Sequence, residues 1–260
     1  MPYRGYDDQF YLDQIQGSQR SARAFIRHLK EVLSFTSVVD VGCGRGAWLH
    51  ACSEIGADKL YGVDGPWIQQ SKLIRNDINF HPYDFNSLVN PKNAPFYGQP
   101  FDLAISVEFA EHVSPNNANN LIDYITSLSD CIIFGAATVS QDGYKHVNEQ
   151  PQSYWAEKLV RHNYAVFDLF RPAVWGAKDV EWWYQQNTFL YAKKNSHSYQ
   201  KLKEYGAVMV KNLDFLNCIH PELYHRELSQ LKGFRNSIAL KMAIKAKRFI
   251  DLTLTRNKNT

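Results

Sequence analysis

The stretch SVVDVGCGRGAWLHAC, residues 37–52, has the residue types that bind a nucleotide-like cofactor. A buried strand leads into a turn with three glycines, and a helix follows. Gly42, Gly44 and Ala47 fit the dinucleotide-binding pattern G-x-G-x-x-G/A, in which glycines let the backbone approach a ligand. Asp64 follows about twenty residues later, where an acidic side chain binds a ribose. The turn therefore predicts a nucleotide-type cofactor at the end of the first strand.

Further residues distinguish between two such cofactors, a nicotinamide dinucleotide and S-adenosylmethionine (SAM). Asp40, two residues before the turn, would repel a pyrophosphate and suits a ligand that carries an ammonium and a sulfonium. Gly46 extends the pattern to G-x-G-x-G, so that the backbone can approach a ligand without phosphates. Asp84 and Phe85 add a polar group and an aromatic ring that suit an adenine. These residues favour SAM, and an NAD-dependent oxidoreductase is the alternative.

The segments VVDVGCGRG, YGVD, YDF and ISVEFAEHV, in this order and spacing, resemble the class I SAM-dependent methyltransferases over residues 37–193. The later segments GYKHVNEQPQSYWAEKLVRHNY and VEWWYQQN are similar to a bacterial subgroup found among glycan and small-molecule biosynthesis proteins. The resemblance implies a seven-stranded sheet whose last strand is inserted antiparallel. It also implies a cofactor site with four parts: the methionine end at Asp40, Gly42, Cys43 and Gly44, the ribose at Asp64, the adenine at Asp84 and Phe85, and a position beside the cofactor at Val107 and Glu108.

The same resemblance implies an enzyme that takes a methyl group from SAM and releases S-adenosylhomocysteine. We expect the acceptor to be a hydroxyl on a small molecule, such as a sugar or a glycan precursor. A SAM-binding protein without turnover, acting as a scaffold for an active methyltransferase, is an alternative of another class.

A second group of polar residues follows the fifth expected strand, in the segment GYKHVNEQ. A hydroxyl acceptor needs a base within hydrogen-bond reach, and a neutral imidazole is available near pH 7. We therefore predict that His146 removes the proton and that Glu149 orients His146 or binds an acceptor hydroxyl. His112, after the fourth strand, is the alternative base. Loop residues that merely cap the next helix would also explain this group.

Glu108, Glu111 and His112 form the pattern E-x-x-E-H at the end of the fourth strand. The same arrangement in ubiquinone-pathway O-methyltransferases is associated with magnesium, and carboxylates suit such a hard cation. Many related methyltransferases, however, carry EHV without a metal, and His112 then only packs near the cofactor. We expect no metal, with a magnesium site at these three residues as the alternative.

The elements that must position these residues alternate along the chain. Near-continuous apolar strands, such as SVVDVG and FDLAISVEF, are separated by helical segments, which indicates a parallel sheet covered on both faces. The last two strands, YAVFDLF and NTFLYAKK, are joined by an aromatic loop without a crossover helix, so we expect them to be antiparallel. The sequence predicts a Rossmann-like, doubly wound α/β fold preceded by a helix over residues 18–33. Ligands of such sheets bind at the carboxyl ends of the strands.

The charge distribution divides the chain into two parts. The residues from Ser196 onward contain 12 Lys and Arg against 5 Asp and Glu, whereas the preceding residues contain 17 against 21. We expect a methyltransferase domain over residues 1–195 that folds without the rest, and a basic helical appendage over residues 196–260. An apolar stripe in the appendage predicts a helix that packs on the domain or on a second subunit, with an anionic membrane surface as the alternative. The stripe consists of Ile238, Met242, Ala246, Phe249 and Thr253.

Other features of the composition limit the class of protein. Hydrophobic residues make up 45% and aromatic residues 14% of the chain, which suits a folded core. The four cysteines are scattered without a CxxC pair, as in a reducing cytoplasm. No signal peptide or membrane-spanning segment is visible, so we expect a cytoplasmic protein. The acidic body has no basic patch interleaved with aromatics near the cofactor loops, so we expect no nucleic-acid partner.

Overall fold

The computed structural model describes residues 8–87, 89–236 and 242, with residues 8–14 as backbone alone. Seven strands and eight α-helices lie in these ranges. The strands are β1 (Ser37–Val41), β2 (Lys59–Asp64), β3 (Asn79–Pro82), β4 (Leu103–Val107), β5 (Cys131–Gly135), β6 (Tyr164–Phe167) and β7 (Phe189–Lys193). The helices are α1 (Asp8–Lys30), α2 (Ala47–Glu54), α3 (Ala118–Thr126), α4 (Gln152–Arg161), α5 (Arg171–Val174), α6 (Trp182–Asn187), α7 (His197–Tyr205) and α8 (Pro221–Asn236).

The seven strands form one sheet in the order β3-β2-β1-β4-β5-β7-β6. Strands β1 to β5 pair in parallel, and β7 runs antiparallel to both β5 and β6. The structure thus confirms the predicted doubly wound sheet with an inserted antiparallel last strand. The strand order reverses between β1 and β4, and in such sheets this is where ligands bind, beyond the carboxyl ends of the strands.

Apolar side chains cover both faces of the sheet, because neighbouring residues of a strand point to opposite sides. In β1, Val38 packs into one core cluster with Phe25 of α1 and Leu49 of α2. Val39 packs into the other cluster, with Leu121 of α3 and Trp155 of α4. All six side chains are fully buried. The packed sheet therefore fixes the starting points of the loops at its carboxyl edge.

Helix α1 carries the apolar face that the sequence predicts. Ala22, Phe25, Ile26 and Leu29 are all fully buried. The helix begins at Asp8, earlier than the expected residue 18, and ends at Lys30. Gly17, a weak helix former, interrupts the pattern at this point. A larger side chain at Gly17 would displace the end of the flexible Glu181 side chain, so the glycine leaves room for that side chain beside the helix.

The connection between β6 and β7 contains two short helices, α5 and α6, where the sequence predicted an aromatic loop. Tyr184 of α6 is buried, its ring packs edge-on against Trp48, and its hydroxyl lies 3.0 Å from Ser18 Oγ. Gln185 supports the turn between the helices by accepting from Gly176 N at 2.6 Å. This segment therefore belongs to the core packing at α1 and α2.

The compact unit that contains the sheet extends to Cys218, beyond the expected boundary at Ser196. Helix α7 fully buries Leu202 in the cluster formed with α1 and α2. The segment after α7 then runs along the free edge of β6. Three main-chain pairings join them: Asp168 N to Val208 O at 2.9 Å, Val210 N to Val166 O at 3.0 Å, and an antiparallel bridge between Phe167 and Met209.

A second compact unit begins at Ile219, and of this unit the structure describes residues 219–236, which contain α8, and residue 242. The predicted apolar stripe lies outside the described residues except for Met242, which is helical and exposed. Across the described ranges, no helix combines the length and the apolar character needed to cross a membrane.

The pairing along β6 leads to a prediction about truncation. A chain ending after Cys218 should unfold cooperatively, whereas a chain ending after Asn195 should be much less stable. The shorter chain leaves the β6 edge unpaired and loses the burial of Leu202, which alone is worth about 1.5–3 kcal/mol. Urea unfolding followed by circular dichroism compares the two truncated chains with the full chain. Equal midpoints for the two truncated chains would instead support a domain that ends at residue 195.

Candidate active site

The turn between β1 and α2 has a backbone conformation that requires glycine. Gly42, Gly44 and Gly46 have φ angles of 83°, 52° and 84°, in the left-handed region that side chains disfavour. A side chain at Gly42 would also collide with the ring of Phe109. The glycines therefore shape the turn and let the segment after β4 lie directly against it.

The main-chain N–H groups of this turn are used inside the protein. Gly42 N and Cys43 N donate to Val63 O at 2.7 and 3.3 Å. Gly44 N donates to the Asp64 carboxylate at 2.7 Å. A phosphate-binding loop instead directs such groups at its ligand. The turn is therefore poorly suited to a pyrophosphate, and this argues against the NAD-dependent alternative.

Asp64 joins the glycine turn to the end of β2. Its Oδ2 accepts from Gly44 N at 2.7 Å and its Oδ1 accepts from Gly65 N at 2.6 Å. Burial raises the pKa of Asp64, and these two N–H groups oppose the shift. Each carboxylate oxygen keeps a further lone pair. Asp64 can therefore hold the turn and still accept two ribose hydroxyls, as its predicted role requires.

Asp40, Cys43 and Val107 are buried around the turn, and their predicted cofactor contacts remain predictions. Burial, and then the charge of Asp64, raise the pKa of Asp40 well above its usual range. A nearby cation would favour the ionised carboxylate, as the expected ammonium contact requires. The thiol of Cys43 lies against Gly62, so a ligand contact by Cys43 would use its backbone.

Asp84 and Phe85 occupy different environments after β3. Asp84 is partly exposed, and its Oδ1 accepts from Asn86 N at 2.9 Å. The ring of Phe85 is buried in the core. Three aromatic rings surround it, those of Tyr83, Phe109 and Tyr124, at centroid distances of 5.1, 5.3 and 5.4 Å. Contact with an adenine therefore remains a prediction for the Asp84 carboxylate and for the main chain of Phe85.

Trp67 is a residue of this region that the sequence reasoning missed. Its ring lies over Gly65, where any side chain would collide with it, and the residue is 66% exposed. A broad aromatic face beside Asp64 suits stacking with an adenine. The segment GPW directly after Asp64 was the available signal, because the glycine makes room for the ring.

Glu108 begins the segment after β4 in a strained conformation, with φ of 53°. Its Oε1 accepts from Asn187 Nδ2 at 2.8 Å and its Oε2 from Gln141 Nε2 at 2.6 Å. Gln152 Nε2 also donates to Asn187 Oδ1 at 3.0 Å. Burial raises the pKa of Glu108 to about 7. This network links four segments at the carboxyl edge, and the polar run QQN before β7 was its signal in the sequence.

Glu111, His112, His146 and Glu149 form a second polar cluster. His146 Nδ1 lies 2.8 Å from Glu149 Oε1, and its Nε2 lies 3.9 Å from Glu111 Oε1. His112 Nδ1 lies 3.3 Å from Lys145 O. The two imidazoles contact each other edge to face, with centroids 4.9 Å apart. The structure thus brings together the three residues for which the sequence predicts catalytic roles, His112, His146 and Glu149.

Main-chain contacts hold the loop of His146 against the segment after β4. Val147 N and Asn148 N both donate to Glu111 O, at 2.9 and 3.0 Å. Gly143 lies beside the ring of His146, and a side chain there would collide with it. The position of His146 is therefore set by the backbone of two loops rather than by the imidazole alone.

The cluster contains bases that a ligand can reach. The side chains of His146 and Glu149 are 12% and 19% exposed, whereas that of Glu111 is 0% exposed. Burial, and then the charge of Glu108, raise the pKa of Glu111 well above its usual range. Burial, and then the charge of His146, lower the pKa of His112, so this imidazole is neutral near pH 7. The arrangement can accept a proton or bind a cation at the carboxyl edge of the sheet.

This fold and this turn are those of a SAM-binding enzyme domain. The chain belongs to the methyltransferase domain family, whose model matches residues 14–189. S-adenosylmethionine is accordingly the cofactor, and the buried carboxylates of Asp40 and Asp64 suit its cationic end and its ribose. The family assignment leaves the NAD-dependent alternative without support.

Two curated proteins and one solved structure illustrate the relationship. A tRNA U34 carboxymethyltransferase from Pseudomonas fluorescens is 27% identical over 46% of this chain and 38% of its own length. The ribosomal protein arginine N-methyltransferase rmt3 of Schizosaccharomyces pombe is 35% identical over 27% of this chain and 13% of its own length. An O-methyltransferase family protein from Burkholderia thailandensis has a TM-score of 0.51 at 13% identity, over 74% of this chain and 61% of its own. The chain thus spans less than two thirds of each, and the structural likeness shows the fold alone.

We expect the substitution Asp64→Ala to weaken binding of S-adenosylhomocysteine. Loss of two charge-assisted hydrogen bonds to the ribose, worth on the order of 2–3 kcal/mol, corresponds to roughly 30- to 150-fold in affinity. The melting temperature should also fall, because Gly44 N and Gly65 N lose their acceptor. Calorimetric titration below the melting temperature measures the affinity.

Asp58→Ala is the matched control, since Asp58 is exposed at the opposite end of β2. This variant should change neither the affinity for S-adenosylhomocysteine nor the melting temperature. An Asp64→Ala variant that binds S-adenosylhomocysteine as tightly as the control would refute the assignment.

Proposed function

We propose that this protein transfers the methyl group of SAM to a hydroxyl oxygen of a small molecule, such as a sugar or a glycan precursor. The observation that carries the proposal is the cluster of His112, His146 and Glu149. One member of the cluster, His112, lies on the segment that contacts the cofactor turn: Phe109 of this segment packs on Gly42, and His112 packs on His146 of the loop after β5. Bases at that position suit an acceptor whose proton must leave.

The chemistry divides between the cofactor and the chain. SAM supplies a methyl group on a sulfonium, and the oxygen–methyl bond forms as the sulfur–methyl bond breaks, which releases S-adenosylhomocysteine and the hydroxyl proton. The turn and Asp64 hold the cofactor, and the loop of residues 138–150 holds the acceptor in line with it. Glu149, by accepting from His146 Nδ1, leaves a lone pair on Nε2 that can activate the hydroxyl.

The surface of the same loop supports an acceptor that is polar and carries an apolar face. Tyr144 and Val147 are each more than half exposed on either side of His146. An aromatic face can pack against the C–H side of a sugar ring. The loop therefore combines groups that bind hydroxyls with groups that bind the less polar side of a small molecule.

We expect Trp67→Ala to weaken binding of S-adenosylhomocysteine by roughly 5- to 150-fold, because stacking of a base on an aromatic ring is worth about 1–3 kcal/mol. Trp67→Phe keeps an aromatic face and should retain most of the affinity. Thermal stability should hardly change in either variant, since the ring is largely exposed. Equal affinities for the wild-type protein and Trp67→Ala would show that the adenine lies elsewhere.

We expect His146→Ala to lower the turnover rate by roughly 10²- to 10⁴-fold, the usual contribution of a group that assists proton removal. Affinity for S-adenosylhomocysteine should stay nearly unchanged, because His146 belongs to the acceptor side of the site. The assay follows transfer of labelled methyl groups from SAM into pools of sugars, sugar nucleotides and other small alcohols. Parallel pools of nucleosides and RNA test the other acceptor class.

His81→Ala provides the control, because His81 is an exposed residue of β3 outside the cluster. It should leave turnover unchanged. Full turnover in His146→Ala, or a preference for RNA over every small-molecule pool, would overturn the proposed acceptor site.

A further inference from the structure

Three side chains of the cluster converge in the way that metal ligands do. Within the part of the chain that the structure describes, Glu111, His112 and His146 each place one potential ligand atom within 4.8 Å of the others. Ligand bonds of about 2.0–2.2 Å in a tetrahedral site place two ligand atoms about 3.3–3.6 Å apart. A small rotation of these side chains would therefore close them around a cation.

The carboxyl group of Glu111 is the strongest sign of a missing partner. Its side chain is 0% exposed, and neither oxygen makes a well-formed hydrogen bond to any described residue. The nearby main-chain N–H groups of Glu111 and Ala137 offset only part of the effect of burial on its pKa. A buried polar group without a partner costs free energy. A cation beside Oε1, on the side facing His146, would remove that cost.

Both imidazoles are oriented with Nε2 available to a ligand. Glu149 Oε1 lies 2.8 Å from His146 Nδ1, and Lys145 O lies 3.3 Å from His112 Nδ1. When Nδ1 donates its hydrogen to an oxygen, Nε2 carries the lone pair. Metal-binding histidines show this arrangement, in which a carboxylate or carbonyl fixes the tautomer and the ring orientation.

We propose that Glu111, His112 and His146 bind a divalent first-row transition-metal cation such as Zn²⁺. Two imidazoles and one carboxylate suit zinc, iron or cobalt, whereas magnesium prefers oxygen ligands alone. Three protein ligands leave a coordination position open. The ion would lie beside His146, whose side chain is 12% exposed, so an acceptor could reach the open position from solvent.

This ligand set differs from the one that the pattern E-x-x-E-H suggests, and it departs from our expectation that no metal is bound. Both oxygens of Glu108 are occupied by Asn187 and Gln141, so Glu108 lies in the amide network rather than in the cluster. The third ligand beside Glu111 and His112 is therefore His146, from the loop after β5, and not Glu108.

The proposed ion deepens the proposed function and rests on it for its catalytic meaning. An acceptor hydroxyl bound at the open position would lose its proton to solvent more readily, because a metal ion lowers the pKa of a bound hydroxyl. The deprotonated oxygen would then form the bond to the methyl carbon as the sulfur–methyl bond breaks. His146 would activate the hydroxyl through the ion that it holds.

The test uses the full chain without a histidine tag, stripped with a chelator and returned to metal-free buffer. Added Co²⁺ should bind with one equivalent per chain and give visible absorption bands, and Zn²⁺ should displace it. Magnesium at the same concentration should not compete. Absence of stoichiometric Co²⁺ binding, or displacement by Mg²⁺ as readily as by Zn²⁺, would overturn the proposal.

Substitutions then locate the site. Glu111→Gln and His146→Ala should each weaken Co²⁺ binding by at least about 10-fold, the lower limit even for residues that only support a ligand. His197→Ala, at an exposed position of α7, and Glu108→Gln should retain Co²⁺ binding, with thermal unfolding confirming that all four variants are folded. Binding that survives both Glu111→Gln and His146→Ala would refute this site, and loss in Glu108→Gln would favour the E-x-x-E-H set instead.

The two proposals fail separately. Co²⁺ binding is measured without SAM or acceptor, so a missing methyl transfer to hydroxyls would leave that result intact. Conversely, methyl transfer at the full rate in the metal-free chain would support the proposed function and would exclude a catalytic role for the ion.

Discussion

The Asp64 carboxylate is the contact on which the cofactor side of the molecule depends. It binds Gly44 N and Gly65 N at once, so a single buried group fixes the loops that follow β1 and β2. Hydrogen bonds to a charged group contribute about 1.5–3 kcal/mol each. Because the turn N–H groups point inward to Asp64 and Val63, the surface left to a ligand is glycine backbone with carboxylate beside it. That surface fits a cationic ligand with a ribose better than a pyrophosphate.

The segment of residues 108–112 connects this cofactor side to the proposed acceptor cluster of His112, His146 and Glu149. Phe109 lies against Gly42. His112, only three residues after Phe109, lies against His146. The left-handed conformation of Glu108 and its two amide partners set the direction of the segment as it leaves β4. Strain of this kind, about 1–3 kcal/mol, persists where surrounding contacts hold it in place. Here the network around Asn187 supplies those contacts.

Local patterns in the sequence were sufficient for the sheet and for the cofactor turn. The strand pattern and the glycines act within a few residues of one another, and Asp64 follows at the spacing of about twenty residues that the nucleotide-binding pattern specifies, so all three can be recognised without knowing the fold. The association of Glu111 with His146 could not be predicted in this way. It depends on hydrogen bonds that Val147 N and Asn148 N donate to Glu111 O, from a loop distant in the sequence. The pairing of Val208 and Val210 with β6 was missed for the same reason. A short segment carries no periodicity, and its partner is distant in the chain.

The most direct test of this account is a crystal structure of the full chain with S-adenosylhomocysteine bound. We expect the ribose hydroxyls on Asp64, the adenine against Trp67, and the sulfur on the side of His112 and His146. A ribose bound away from Asp64 would contradict the cofactor site. A sulfur that faces away from His146 would contradict the link between the cofactor turn and the acceptor cluster.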